Sequence, residues 1–280
     1  MKGQTLKGAR PAYSRAFGGE MANEDPDHPF TDHFLFAAEG IVHSVFTKGS
    51  GPGVLLMHEL PGFTPQFWRL AHWLSGEFTV FAPDLFGRSS TPSKPSNLRN
   101  TIKLCISREV HALSRNDPGP ITQWLRALSK KLHDQAGGSG VGAIGMCMTG
   151  NFALTLALDP WVTAPVASQP SLPISIPFRN VDGGLQMTGD ERTAFAAQQT
   201  DVMGMRFKGD RLCKAARFET IESVIGTQRF QKHEIDDIHR NPDGPLKWPH
   251  AVLTADLVNE DQSVTRQKVD EVMAFLRARI

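Results

Sequence analysis

The chain alternates short apolar runs with amphipathic stretches. Val54-Leu55-Leu56-Met57 follows Gly51-Pro52-Gly53, and four apolar residues in a row predict a strand buried on both faces. Phe67, Leu70, Ala71 and Leu74 then recur at i, i+3, i+4 and i+7, the stripe of a helix covering a sheet. Thr79 to Ala82 reads as the next strand, stopped by Pro83. Trp124, Leu125, Leu128 and Leu132 mark a second helical stripe. Val141 to Met146 predicts a strand and Phe152 to Leu158 an almost wholly apolar helix, ended by Asp159-Pro160. Val162 to Ala167 and Val202 to Phe207 predict later strands, and Val269, Val272, Met273, Leu276 and Ile280 a closing helix.

Strands and helices in alternation imply an α/β fold, a mostly parallel central sheet with helices on both faces. The active site of such a sheet lies beyond the carboxyl ends of its strands. Residues 84–118 and 169–200 break the alternation and are rich in Pro, Gly and Ser. They are expected as loop insertions or short helices roofing the site of one domain over 31–280. Residues 1–30 are expected as a polar extension, wrapped on the surface or flexible, with Met21 a candidate alternative start.

Composition narrows the class. A net charge of +1, with 40% hydrophobic and 21% charged residues, gives no basic excess for nucleic acid and no acidic tail. No stretch approaches the roughly 18 apolar residues of a membrane helix. Lys2, Lys7, Arg10 and Arg15 are not followed by the apolar core of a signal peptide. Cys105, Cys147 and Cys213 are odd in number and widely spaced, which argues against a disulfide framework. A cytoplasmic protein, monomeric or homodimeric, is expected.

The most informative segment is Gly145-Met146-Cys147-Met148-Thr149-Gly150. A strand here runs through a Gly-x-Cys-x-x-Gly turn directly into a helix, the setting of a nucleophile elbow. Glycine lets the backbone fold back tightly, and the helix N-terminus favours negative charge on Cys147. The Met148 N–H is one donor for an oxyanion hole. The plainer alternative is a buried apolar cysteine, which is the reading for Cys105 and Cys213. An elbow nucleophile takes its acid and its histidine later in the chain. Asp210 follows the strand Val202 to Phe207, and His250 lies in Trp248-Pro249-His250. A helix N-cap is the alternative for Asp210, with Asp236, Asp237 and Asp243 as rivals. A solvated loop residue is the alternative for His250, with His239 as its competitor. The run from His233 to His239 matches no familiar metal-ligand spacing.

With these residues, the chain resembles the dienelactone hydrolase family of the α/β-hydrolases over roughly 40–280. The motifs are His58-Glu59-Leu60-Pro61-Gly62, Pro83-Asp84-Leu85-Phe86-Gly87-Arg88, Gly145 to Gly150, and the Asp210 and His250 segments. The resemblance implies an α/β-hydrolase fold and the triad Cys147, His250 and Asp210. It implies that Glu59 keeps the thiol neutral until substrate arrives, against the alternative of a helix cap. It implies that the Leu60 N–H completes the oxyanion hole and that Arg88 binds a substrate carboxylate. A second family arginine, four residues after the histidine, is Thr254 here, which removes half of that clamp. Thr149 stands where the family elbow has glycine, either stiffening the turn or narrowing the pocket.

The expected activity is hydrolysis of an ester or lactone, dienelactone-like or activated, through a thioacyl-enzyme without metal or cofactor. The partner is a small-molecule substrate. The rival from another class is a catalytically idle small-molecule receptor on the same fold. Dehalogenase, peptidase and thiol-redox readings fit the elbow less well.

Overall fold

A computed structural model describes residues 30, 32–85, 119–171, 184–185 and 187–280. Eight strands among them form one sheet in the order β1-β2-β4-β3-β5-β6-β7-β8. The strands are β1 (His33–Ala38), β2 (Ile41–Lys48), β3 (Gly53–Met57), β4 (Thr79–Pro83), β5 (Val141–Met146), β6 (Val162–Ser168), β7 (Val202–Phe207) and β8 (Phe230–Ile235). From β4 to β8 every neighbouring pair is parallel, while β1, β2 and β4 pair antiparallel. The helices are α1 (Pro65–Ser75), α2 (Pro120–Ala136), α3 (Met148–Leu156), α4 (Gly189–Ala197), α5 (Ala215–Ile225) and α6 (Val264–Arg277). None is long and apolar enough to cross a membrane.

The strands are apolar throughout because both faces are covered. Val54 and Leu56 of β3 join one cluster with Phe67, Leu70, Ala71 and Leu74 of α1 and Val269, Val272 and Leu276 of α6. Leu55 and Met57 point the other way, to Trp124, Leu125, Leu128 and Leu132 of α2 and Phe152 of α3. A third cluster joins α4 and α5 to β7 and β8 through Phe195, Phe218, Ile221, Val202 and Phe230, and Cys213 is buried in it. The stripes read from the sequence are thus the buried faces.

Three boundaries differ from the expected ones, and three strands were not expected. Pro83 ends β4 inside the strand, opposite Val45, and proline is admissible at a strand terminus. The helix after the elbow begins at Met148, not Phe152. Ile280 lies past the end of α6 and packs against the core from there. The β1–β2 hairpin and β8 were not anticipated. In β1 both faces carry apolar residues, Phe34 and Phe36 inward and Leu35 outward, so the two-residue alternation is hidden. The hairpin turn is Glu39-Gly40, with φ of 51° and 71°, as a primed two-residue turn requires.

Candidate active site

Of the residues singled out in the sequence, Glu59, Cys147 and Asp210 lie beyond the carboxyl ends of β3, β5 and β7, where His250 joins them. At the end of β5 the chain turns through Cys147, whose φ of 56° and ψ of −122° lie outside the regions open to ordinary L-residues. Such a conformation costs about 1–3 kcal/mol and persists only where its surroundings enforce it. Here they do. The Cys147 N–H donates to Ser168 O at 3.0 Å, and its carbonyl accepts from Gly150 N at 3.1 Å and Ser171 N at 3.0 Å. A Cβ on Gly145 would sit 2.1 Å from Thr149 O, so only glycine fits. Thr149 stiffens the turn: its hydroxyl accepts from Met146 N at 2.8 Å and faces the carbonyls of Met146 at 2.9 Å and Met57 at 3.2 Å. One buried side chain thereby ties the ends of β3 and β5. Met148 is the first residue of α3, where an N–H has no partner within its own helix.

Asp210 unites two readings that sequence analysis held apart. Its Oδ1 accepts from Leu212 N at 2.8 Å and Cys213 N at 3.0 Å, capping the turn after β7. Its Oδ2 lies 2.8 Å from His250 Nδ1. The rivals are engaged elsewhere: Asp236 pairs with Lys208, and Asp237 accepts from Gly209 N beside the capped turn. Asp243 and Asp236 are exposed, while Asp210 is buried.

His250 is buried as well, and its backbone N–H and that of Ala251 both donate to Asp256 Oδ2, at 2.8 and 3.0 Å. Burial opposes charge on the imidazole. The Cys147 charge and the hydrogen bond to Asp210 outweigh it and hold the His250 pKa well above the ordinary value. The thiol meets Ser171 Oγ at 3.3 Å. Sulfur and imidazole are neighbours as well, and both the charge of Cys147 and a hydrogen bond to it help to raise the His250 pKa.

Glu59 caps no helix; the cap of α1 is Thr64, whose hydroxyl accepts from Phe67 N at 3.2 Å. The Glu59 carboxyl accepts from Gln169 Nε2 at 3.1 Å and from the Thr254 hydroxyl. Burial pushes its pKa up, against the lowering influence of His250, Thr254 and Gln169, and the Asp256 charge raises it further. The hydrogen bonds of Glu59 go to Gln169 and Thr254, the thiol meets Ser171, and at the position of the missing arginine the Thr254 hydroxyl holds Glu59. The loop carrying Glu59 and Leu60 is itself clamped by His58. Leu85 N donates to His58 Nε2 at 3.2 Å, so Nδ1 carries the hydrogen and donates to Glu59 O at 3.1 Å. Burial lowers the His58 pKa to about 4, which keeps this bridge neutral.

Four contributors were not anticipated. Gln169, with φ of 37°, ties Glu59 to the His250 loop through Val252 N at 3.4 Å. Ser171 meets the thiol, and Asp256 holds the His250 backbone. Arg206 spans the two ends of the Asp210 loop, donating to Phe207 O at 3.0 Å and Cys213 O at 2.9 Å while paired with Glu234. A lone arginine in an otherwise apolar strand was the legible sign of the last. Gln169 and Ser171 directly follow a strand next to the nucleophile strand, which is a weaker sign. Arg88, Cys105 and most of the insertion at 84–118 lie outside the described residues, as do residues 1–29.

The dienelactone hydrolase family model matches residues 41–224. Among solved structures, a dienelactone hydrolase-like promiscuous phosphotriesterase from metagenomic libraries is similar with a TM-score of 0.59 at 17% identity, over 89% of this chain and 98% of that one. A protein from Klebsiella pneumoniae subsp. pneumoniae MGH 78578 described as a dienelactone hydrolase gives 0.58 at 16%, over 88% and 97%. A serine hydrolase involved in carbazole degradation gives 0.53 at 14%, over 89% and 99%. At these identities the likenesses concern the fold. A search of curated protein sequences gives no match.

Proposed function

Since the chain belongs to the dienelactone hydrolase family and has the α/β-hydrolase fold, we propose that it hydrolyses a carboxylic ester or lactone through a thioacyl intermediate on Cys147. The observation that carries this reading is the 2.8 Å contact of His250 Nδ1 with Asp210, on an imidazole whose pKa is raised by the charge of Cys147 at a strained elbow.

In the first half-reaction Nε2 of His250 takes the thiol proton and the sulfur attacks the carbonyl carbon. A C–S bond forms and the carbonyl electron pair moves to oxygen, where the N–H groups of Met148 and Leu60 would receive it. Collapse expels the alkoxide, which takes the proton back from His250. In the second half-reaction water attacks the thioester as His250 accepts its proton. The C–S bond then breaks, and the acid and the resting thiol are regenerated. Asp210 fixes the imidazole tautomer and stabilises its charged form. No step needs a metal or cofactor. A thiol nucleophile favours esters with good leaving groups, so an aryl ester or strained lactone is the preferred class. Arg88 remains the proposed contact for a substrate carboxylate, and Thr254 does not supply a second one.

The test is intact-mass analysis after brief exposure to a panel of aryl esters and lactones. An acyl increment on Cys147, with turnover lost in Cys147→Ala of unchanged circular dichroism, supports the proposal. Neither adduct nor turnover in the wild-type protein across the panel favours the idle-receptor alternative.

A further inference from the structure

Ser171 is the one hydroxyl in hydrogen-bonding contact with the thiol among the described residues, and it is fully buried. Its place is fixed by more than that contact. Its N–H donates to Cys147 O at 3.0 Å, and its carbonyl accepts from Asn151 Nδ2 at 3.1 Å. Asn151 also donates to Met148 O at 3.1 Å and accepts from Arg217 Nη1 at 3.0 Å. A buried polar line thus runs from α5 through α3 to the nucleophile, and the hydroxyl is held against the sulfur.

On the reading of Cys147 as nucleophile, we propose that Ser171 is a further catalytic residue, whose O–H donates to the Cys147 sulfur whenever that sulfur carries negative charge. While the thiol is intact, either group can be the donor. Once the proton moves to His250 Nε2, the sulfur has no hydrogen left, and only the hydroxyl can donate. A hydrogen bond to the charged form favours that form. The bond stabilises the thiolate as it forms and again when it departs from the tetrahedral intermediate of deacylation, and it weakens when the sulfur is acylated. His250 carries the proton from the thiol to the leaving alkoxide, and later from water to the departing sulfur; Ser171 keeps its own. The other ionisable groups at this end of the sheet, His250, Asp210, Glu59, Asp256, Cys213 and Arg217, are retained when Ser171 is replaced.

The test is the pH profile of Cys147 alkylation by iodoacetamide, located by peptide mapping to separate it from Cys105 and Cys213. A hydrogen bond to a charged group is worth about tenfold or more in an equilibrium. Ser171→Ala should therefore alkylate about three- to tenfold more slowly at the low-pH end of the profile, the smaller loss applying if its thiolate is the more reactive. At the high-pH end, where all the sulfur is thiolate, it should react as fast as wild type or somewhat faster, because an unbonded thiolate is the better nucleophile. Ser171→Thr, which keeps the hydroxyl, should regain the low-pH rate, whereas in Ser171→Ala turnover of an aryl ester should fall in kcat with KM little changed. If the alanine variant does not fold, Ser171→Gly is read in the same way. Equal rates at every pH overturn the proposal, as does a uniform loss across the profile, which a merely structural role would give. Turnover that survives in Cys147→Ala, or neither adduct nor turnover in the wild-type protein, overturns the nucleophile reading itself, and with it any catalytic part for Ser171. An adduct with an unchanged alanine profile overturns the role of Ser171 alone.

Discussion

Asp210→Asn separates the two duties of one carboxylate, because each falls on a different oxygen. The amide has one acceptor where the carboxylate had two. The loop presents two N–H groups, those of Leu212 and Cys213, and His250 presents one. The amide oxygen should therefore stay with the loop and turn its NH2 to the imidazole. That NH2 cannot accept from Nδ1–H, so the ring adopts the other tautomer, with Nδ1 accepting and a hydrogen on Nε2. A ring protonated there cannot take the Cys147 proton. Amidating the orienting carboxylate of such a histidine costs on the order of 10⁴ in kcat, which is about 5 kcal/mol of barrier. The fold should lose only the charge-assisted bond, about 1.5–3 kcal/mol. Asp210→Ala should lose the same activity and also the capped turn, adding about 1 kcal/mol of destabilisation. Turnover of an activated aryl ester with parallel thermal melts measures both. An asparagine variant within tenfold of wild type, with an unaltered pH profile, would refute the assignment of Asp210 as orienting acid.

Two further outcomes test the scaffold. Thr149→Val keeps the volume but leaves Met146 N without its buried acceptor, so stability should fall by about 1–3 kcal/mol; an unchanged melting temperature would count against the stiffening role of the hydroxyl. Asp159 is partly buried near Arg126, and that burial raises its pKa from 3.8 to about 6 despite the lowering by Arg126. A carboxyl raised in the folded state contributes most to stability below its unfolded pKa, and that contribution is lost as pH rises through about 6. Asp159→Asn should therefore melt higher than wild type at pH 8, by about 2 kcal/mol or about 5 °C, and should show no gain at pH 3.5. A lower melting temperature at pH 8 would contradict this.

The fold was legible wherever one physical demand dominated a segment. Buried parallel strands show as unbroken apolar runs, and covering helices as stripes, as for β3 and α1. The β1–β2 hairpin was not legible, because Leu35 on its outer face mimics a core residue. At the site, Cys147 stood out because the strained turn demands small neighbours, as the 2.1 Å approach to Gly145 explains. Asp210 and His250 could be ranked by chain order and by their places after a strand and in a loop. Gln169, Ser171 and Asp256 could not, since their partners are backbone groups and side chains far away in sequence. A residue whose task is to hold another leaves no local pattern. The role of Thr254 was half legible: the missing arginine was visible, but the hydroxyl bond to Glu59 required the folded chain.

The polar cluster draws on the ends of β3, β5, β6 and β7, and the antiparallel hairpin stands apart from it, with β2 and β4 between β1 and β3. Leu35 and Val42 on that hairpin are 71% and 58% exposed. This margin of the sheet therefore offers an attachment point: a fluorophore or an immobilisation linker introduced at Leu35 should reach solvent directly, and a polar residue there should remove exposed apolar surface from the edge.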